Sequence, residues 1–596
     1  MSENSRLRSE QFLKISSQFK LGALITEGSH PVTANLSEVA RHDISGALKL
    51  LFEADADVLN KFREFVESGR AQPIAATVLG AIKNGGRIFF TGCGSTGRLS
   101  ILLDSVWRDF WQRRKPGLAA AGDYEQRTFS LMAGGDYALI KAVEGFEDFT
   151  VFGKKQIADL GVSAKDVVFA ITEGGETSFV IGTAWQGVAA GAKVYFVYNN
   201  PDDILCEQVQ RSREVIQEAR IEKINLTTGP MSITGSTRMQ ATSIQLCVML
   251  TILEMVVREL TGTDPAATPG LFLEKLSEFY DNLKSPDFLS QLEEFVKLEE
   301  KVYRSGNKNN YYADRLGIDV LTDTTERSPT YCTPPFRKFD DATASESWAF
   351  LFLPDDWTDK AWENILKRKP RCITWSEEEV CALVDEENVE RTLETVARIG
   401  PNELMRYKIG SNGLKYRTPI VQDSAVGIIC EAERDTWAKF QLKQLRLARE
   451  NNSKTGLIYF GWQPDVLNAS EQFAEYFLYV PVPEADFLLD GLTRVATKLV
   501  MNALSTCTMV RLGRVMGNYM IWVVPSNLKL IDRATRYITK LTPLNYEAAN
   551  ELLFEIIEYV EPRMKADRVY PPVVGMAVLR ARENLTNEEA EKKLNL

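Results

Sequence analysis

The stretch Gly92-Cys93-Gly94-Ser95-Thr96-Gly97-Arg98 carries the chemistry most readily read from this sequence. Gly92, Gly94 and Gly97 fit a G-x-G-x-x-G spacing, which lets backbone N–H groups approach an anion at the start of a helix, where the helix dipole also favours negative charge. On spacing alone, a plain tight turn or a dinucleotide loop satisfies the same pattern. A dinucleotide loop needs an acidic residue roughly 20 positions further on, at the end of the next strand. Here that strand runs out much later, in Ala133-Gly134-Gly135-Asp136. Ser95 and Thr96 add two adjacent hydroxyl donors beside the backbone amides, a combination suited to a phosphate monoester, so a sugar phosphate is the expected ligand.

Other chemistries lack their parts. The only histidines, His30 and His42, precede the first strand-loop-helix pattern, so neither a Ser-His-Asp triad nor a His-ligated metal is expected. Eight cysteines without a CxxC pair indicate reduced thiols rather than a zinc site or a disulfide framework. The expectation is therefore no metal and no cofactor, with any acid–base work left to carboxylates, lysine or tyrosine.

The elements that must position the loop alternate. Residues 34 to 84 read as helices, with apolar positions recurring through Leu48, Leu51, Phe52 and Leu59. A strand over Arg87 to Thr91 leads through the loop into a helix from about Leu99 to Arg113. Strands follow at Phe129 to Met132, Asp166 to Thr172 and Lys193 to Tyr198, with helices predicted at Tyr137 to Phe146 and from Ser178. Apolar strands separated by helices point to a mainly parallel sheet covered on both faces, whose ligands gather at the carboxyl ends of the strands. After a helical stretch from about Arg238 to Leu283, a second alternation runs from Tyr311 past Phe460 and closes with a helix at Val495 to Leu512. The tail from Leu528 reads as helical hairpins, with Thr542 and Thr586 as helix starts.

Composition bounds the rest. A chain of 596 residues exceeds a single core and suggests three or four domains of about 150 to 200 residues. With 44% hydrophobic and 25% charged residues it is globular in type. A net charge of -11 argues against nucleic acid or an anionic membrane as a general partner. The apolar run Leu246 to Val257 contains Glu254 and falls short of the roughly 18 residues of a spanning helix. With a polar start at Ser2-Glu3-Asn4-Ser5, the chain is expected to be cytoplasmic.

Several phrases, in order, resemble the N-acetylmuramic acid 6-phosphate etherases and the related glucokinase regulatory protein, which are built from SIS (sugar isomerase) domains. They are Ile25-Thr26-Glu27 with Pro31 and Thr33, the glycine loop, Ala133-Gly134-Gly135, Glu144-Gly145 with Glu147-Asp148, Gly229-Pro230, and Gly235-Ser236-Thr237-Arg238-Met239. A later block repeats the family's closing signature: Thr497-Lys498 through Asn502, Ser505-Thr506, Gly513, Gly517-Asn518, and Asn527 with Lys529-Leu530. The resemblance spans nearly the whole chain and implies an α/β fold of two tandem SIS domains, parallel sheets flanked by helices, with a C-terminal α-helical domain. The implied division is residues 1–285 for the N-terminal helices and first SIS domain, 286–525 for a second SIS domain with a degenerate loop, and 526–596 for the helical domain.

An etherase subunit has one SIS domain and dimerises; here two halves appear in one chain, free to diverge. In the first half the family's acidic residue after the loop helix is replaced, since Asp104-Ser105-Val106 runs into Trp107. In the second half Tyr312-Ala313-Asp314-Arg315-Leu316-Gly317 has lost the glycine loop, yet Asp323-Thr324-Thr325-Glu326 keeps the acidic position, in what reads as a Thr- and Pro-rich turn. The resemblance thus implies one composite site per chain, joining the loop and Glu147 to Glu326 and Lys498. The two glutamates would be the acid–base pair if the chain is an enzyme, and Lys498 would neutralise the phosphate. Thr172 replaces one phosphate-contacting hydroxyl, but Glu176 falls where the regulatory protein has a serine. A carboxylate about 4 Å from a phosphate charge costs on the order of 4 kcal/mol per charge pair at an effective dielectric of about 20, so Glu176 either turns away or serves a different ligand. Thr237 and Arg238 cap and solvate the following helix or stand behind the site, and Gln245 stands near where lysine is common.

Three functions remain open on these residues. One is a sugar-phosphate sensor like the glucokinase regulatory protein, acting on a sugar kinase or another protein. Another is an etherase-like carbon–oxygen lyase acting on an amino-sugar phosphate, and the third is a scaffold with a vestigial site.

Overall fold

The computed structural model describes every residue except 1, 17–20, 116, 118–120, 144, 435–438, 464–471, 526, 566–568 and 595–596. Glu144, part of one family phrase, therefore lies outside the described residues. The first half builds a parallel sheet from β1 (Ile88–Gly92), β2 (Thr128–Met132), β3 (Val167–Ile171), β4 (Lys193–Tyr198) and β5 (Ile221–Asn225), in the order β2-β1-β3-β4-β5. β1 and β3 are buried along their whole length, as continuous apolar runs in a doubly covered sheet should be. β5 has no counterpart in the sequence reading because Glu222 and Lys223 interrupt its apolar pattern; it is the sheet's edge, where such residues are tolerated.

The second half repeats the plan with β6 (Asn309–Tyr312), β7 (Ala349–Phe352), β8 (Ser424–Cys430), β9 (Lys454–Gly461) and β10 (Tyr476–Pro481). The order β10-β9-β8-β6-β7, again all parallel, is the first sheet's order read from the other edge. Each sheet is followed by a long apolar helix, Gln240–Leu260 in the first half and Gly491–Arg511 in the second. Gln240–Leu260 is long and apolar enough to cross a membrane, but it is buried from Gln240 to Arg258 and serves as a core helix. A short antiparallel hairpin, β11 (Val515–Met516) with β12 (Tyr519–Met520), leads to the terminal helices Leu528–Leu541, Tyr546–Lys565, Val573–Glu583 and Asn587–Leu594. The ends of the chain meet: Ser9 donates to Asn550 at 2.7 Å and Phe12 packs on Phe554.

Buried charge locks the halves together. Arg368 of the second half donates to Asp104 at 3.0 Å and to Asp136 at 2.5 Å in the first. Burial pushes the Asp104 carboxyl up, but Arg108, Arg368 and Arg371 together hold it well below the usual carboxylate range. Asp136 also accepts from the Arg371 amide, and this fixes the chain after β2. The helix predicted at Tyr137 to Phe146 is for that reason only a 3-10 turn, Asp136–Leu139; the α-helix starts later, at Thr150–Asp159, beyond Gly145 with its left-handed φ of 84°. Thr586 and Glu589 form the reciprocal cap expected of them, whereas Thr542 bonds back to Ile538 and Asn545 takes over the capping of its helix.

Candidate functional site

β1 hands over to helix Gly94–Arg114 without an intervening open loop, so the glycine segment is the helix's first turn rather than a loop ahead of Leu99. Gly92 makes the tight handover possible: a Cβ there would lie 2.3 Å from the Thr96 carbonyl carbon. Gly94 takes a φ of 54°, which a side chain would disfavour. The Thr96 hydroxyl accepts from the Cys93 amide and donates to the Cys93 carbonyl. It is fully buried and spent on this cap, so it does not face the cleft. Gly97 lies under Met132, with only 2.5 Å between a would-be Cβ and the Met132 Cγ. Of the loop's candidate ligands, Gly94 and Ser95 line the cleft while Gly92, Thr96 and Gly97 shape it from behind.

The cleft has a volume of about 200 Å³ and draws on both halves. Four helices start at its wall: Gly94–Arg114, Ser178–Ala189 through its N-cap Thr177, Gln240–Leu260 through Gly235 to Arg238, and Leu528–Leu541 through its N-cap Asn527. Converging amino ends make a positive, amide-rich floor. Arg238 does not solvate its helix but is buried, held by Asn502 at 2.9 Å and Ser505 at 2.8 Å, and its Nη1 has no partner. Arg98 is buried as well, donating to Thr325 and to the carbonyls of Ala138 and Leu139.

Against these donors stand three carboxylates. Glu147 lies on the cleft wall with both oxygens engaged, one by Asn527 and the other by the Cys93 thiol at 3.2 Å. Glu326 is not in a turn but buried in helix Gly317–Tyr331, whose Pro329 falls in the last turn. Its Oε1 is 3.7 Å from Arg98 and has no hydrogen-bond partner. Glu173, which the sequence reading did not select, also lines the cleft, and burial pushes its carboxyl up to about 7 against the partial opposition of Lys529.

Three expected ligands sit elsewhere. Lys498 lies in an adjoining cavity of about 40 Å³, where its ammonium donates to the Arg238 carbonyl at 2.7 Å and to Ser243 at 3.0 Å. Burial lowers its pKa to about 8, and its two hydrogen bonds brace the backbone that presents Arg238 instead of reaching the cleft. Thr172 is buried behind the wall, its hydroxyl shared with Thr177 and the Gly175 amide. Glu176 is neutralised: it receives the ammonium of Lys529, which lines the cleft. Burial raises the Glu176 pKa, but Lys529 and Arg211 bring it below the ordinary carboxylate value. Gln245 is structural, donating to Thr172 and Asn199.

Asn527 and Lys529 are thus the functional residues that residue-by-residue reading missed, although both belong to the closing phrase that carried the resemblance. The helix bearing them is anchored by Arg533 and Arg536, which clamp buried Glu27 from the first family phrase. Among the described residues no three His, Cys, Asp or Glu side chains are placed to share a metal ion.

Comparison with known proteins agrees with this architecture. Residues 72–186 match the family model of the glucokinase regulatory protein N-terminal SIS domain. An N-acetylmuramic acid 6-phosphate etherase of Clostridioides difficile (strain 630) is 32% identical over 236 residues, covering 39% of this chain and 69% of the etherase. One from Petrotoga mobilis is 31% identical over 228 residues, covering 38% and 67%. Among solved structures, tagatose-6-phosphate ketose/aldose isomerase from Escherichia coli aligns over 82% of this chain and 98% of its own, at 10% identity and a TM-score of 0.42. The duplicated parallel sheets, the glycine turn opening a helix and these sequence matches together make the chain a member of the SIS domain family, on the side of the etherases and the glucokinase regulatory protein.

Proposed function

We propose that the chain binds one phosphorylated sugar in the composite cleft and works as a sensor or regulator of carbohydrate or amino-sugar metabolism. The observation that carries this reading is the division of the cleft into donors and acceptors. Four helix amino ends, Ser95 and the unpartnered Nη1 of Arg238 suit a phosphate, while Glu147, Glu173 and Glu326 suit the hydroxyls or the amine of a sugar. Regulation rather than turnover is favoured by Glu147, whose two oxygens are both held within the protein, one by the Asn527 amide and the other by the Cys93 thiol. A protein partner, such as a sugar kinase, follows from the regulatory role and from the similarity to the glucokinase regulatory protein.

An etherase-like reading has its own support. Glu326 keeps an oxygen without a hydrogen-bond partner, and burial pushes the Glu173 carboxyl up to about 7, where a side chain can give or take a proton near neutrality. One carboxylate would remove the proton beside the sugar's carbonyl carbon, the other would protonate the departing lactyl ether oxygen, and water would add to the resulting double bond.

Melting of the full chain with hexose and amino-sugar 6-phosphates, with lactate measured after incubation with N-acetylmuramic acid 6-phosphate, separates these readings. Stabilisation without lactate is the expected result. Lactate release lost in Glu326→Ala and in either Glu147→Ala or Glu173→Ala would establish the lyase, and no stabilisation by any of these sugars would leave a scaffold.

A further inference from the structure

The charges that line the composite cleft are not matched within the protein. Its four cations each have a carboxylate: Arg98 lies 3.7 Å from Glu326 and Arg238 3.4 Å from Asp323, Lys529 bonds to Glu176, and Arg533 donates to Glu27 at 2.6 Å. Three of those four carboxylates, Asp323, Glu176 and Glu27, stand behind the wall rather than on it. Of the carboxylates on the wall, only Glu326 therefore has a cation of its own. Glu147 is held by the neutral Asn527 amide and Cys93 thiol, and Glu173 forms no ion pair and no bond to another side chain among the described residues.

Glu173 is the more exacting of the two. It follows β3 by two positions, at the carboxyl end of the sheet, and is 9% exposed. Glu326 and Glu176 add negative charge around it, and the cation that opposes them, Lys529, is bonded to Glu176. A buried carboxylate without a cation either keeps a proton or takes a charged partner from outside. A sugar hydroxyl can donate a hydrogen bond to it but leaves the charge uncompensated. An ammonium does both, through hydrogen bonds about twice as strong as neutral ones.

We propose that the ligand of the composite cleft is an amino-sugar phosphate with a free, protonated amine, its ammonium against Glu173 and its phosphate at the helix amino ends and the Nη1 of Arg238. The proposal rests on the reading of the cleft as a sugar-phosphate site and narrows it. A plain hexose phosphate leaves Glu173 unmatched, and an N-acylated sugar offers only a neutral amide. Glu173 is then the residue that sets specificity, while the opposite end of the ligand meets donors that any sugar phosphate would use.

Titration calorimetry of the full chain at neutral pH tests this with glucosamine 6-phosphate, glucose 6-phosphate and N-acetylglucosamine 6-phosphate, which differ in one substituent: ammonium, hydroxyl or acetamide. The expected result is at least tenfold tighter binding of glucosamine 6-phosphate than of either other sugar, and loss of most of that preference in Glu173→Gln, which keeps the size of the side chain without its charge. Binding by the wild type with no preference for the ammonium would overturn the proposal and leave the sugar-phosphate reading standing. A preference that survives in Glu173→Gln would overturn it too, as would loss of all three sugars in that variant, which would make the residue structural. Failure of the wild type to bind any of the three would overturn the sugar-phosphate reading, and this proposal with it.

Discussion

The ammonium of Lys529 bonds to the carboxylate of Glu176, and this single pair ties the start of helix Leu528–Leu541 to the turn that follows β3. The acid that looks out of place beside a phosphate site is thereby made part of the scaffold. Burial lowers the lysine's pKa, but Glu176 more than reverses the effect and raises it above the ordinary value.

Breaking the pair from one side leaves a buried, uncompensated charge. Lys529→Met is expected to lower stability by about 3 to 5 kcal/mol, and Glu176→Gln added to it should restore most of the loss, as read from a double-mutant cycle of thermal or urea melts. Because the Glu176 pKa is depressed in the folded chain, the pair's contribution is present above the ordinary carboxylate value and lost as pH falls through the depressed one.

Glu173 has the opposite sign. Its folded pKa of about 7 exceeds the ordinary 4.5, so the native state holds a proton that the unfolded chain releases. Its contribution to stability is complete below 4.5 and disappears as pH rises through about 7. Glu173→Gln should therefore be more stable than wild type at pH 8, by on the order of 3 kcal/mol, and about equally stable at pH 4; melts across that range decide it.

The two glycines behind the cleft should differ when replaced by alanine. At Gly92 the new methyl group meets backbone at 2.3 Å and the helix start must move, whereas at Gly97 it meets the end of Met132, which can swing aside. Gly92→Ala is expected to cost about 3 kcal/mol or more and Gly97→Ala about 1 kcal/mol, measured by chemical denaturation. Ligand-induced stabilisation should be lost in the first and largely kept in the second.

Arg238→Lys should weaken sugar-phosphate binding at least tenfold and also lower the melting temperature, because buried Asn502 and Ser505 lose a donor. A lysine cannot hold Asn502 and Ser505 while also presenting a donor to the cleft. Titration calorimetry at two ionic strengths measures the loss, which should persist at high salt because the group is buried.

The sheets were legible in the sequence wherever strands are continuous apolar runs, as in β1, β3, β4 and β9, and the glycine turn advertised its own position. β5 escaped because an edge strand carries charges, and the segment after β2 because its shape comes from Arg368 and Arg371, far away in the chain. At the site, residue type indicated which groups could bind but not which way they face. Thr96 and Thr172 spend their hydroxyls on neighbouring backbone and side chains, and Lys498 spends its charge on a carbonyl; those are outcomes of packing. Asn527 and Lys529 were silent because their partners, Glu147 and Glu176, are more than three hundred residues away.

The composite cleft has one further consequence. Glu326 comes from the second half and the glycine turn from the first, but a covalent chain joins them, so assembling the site is not a bimolecular event. A cleft shared between separate subunits empties on dilution as the subunits part; this one keeps its local concentration of partners at any protein level. Whether the cleft is assembled is then independent of protein concentration.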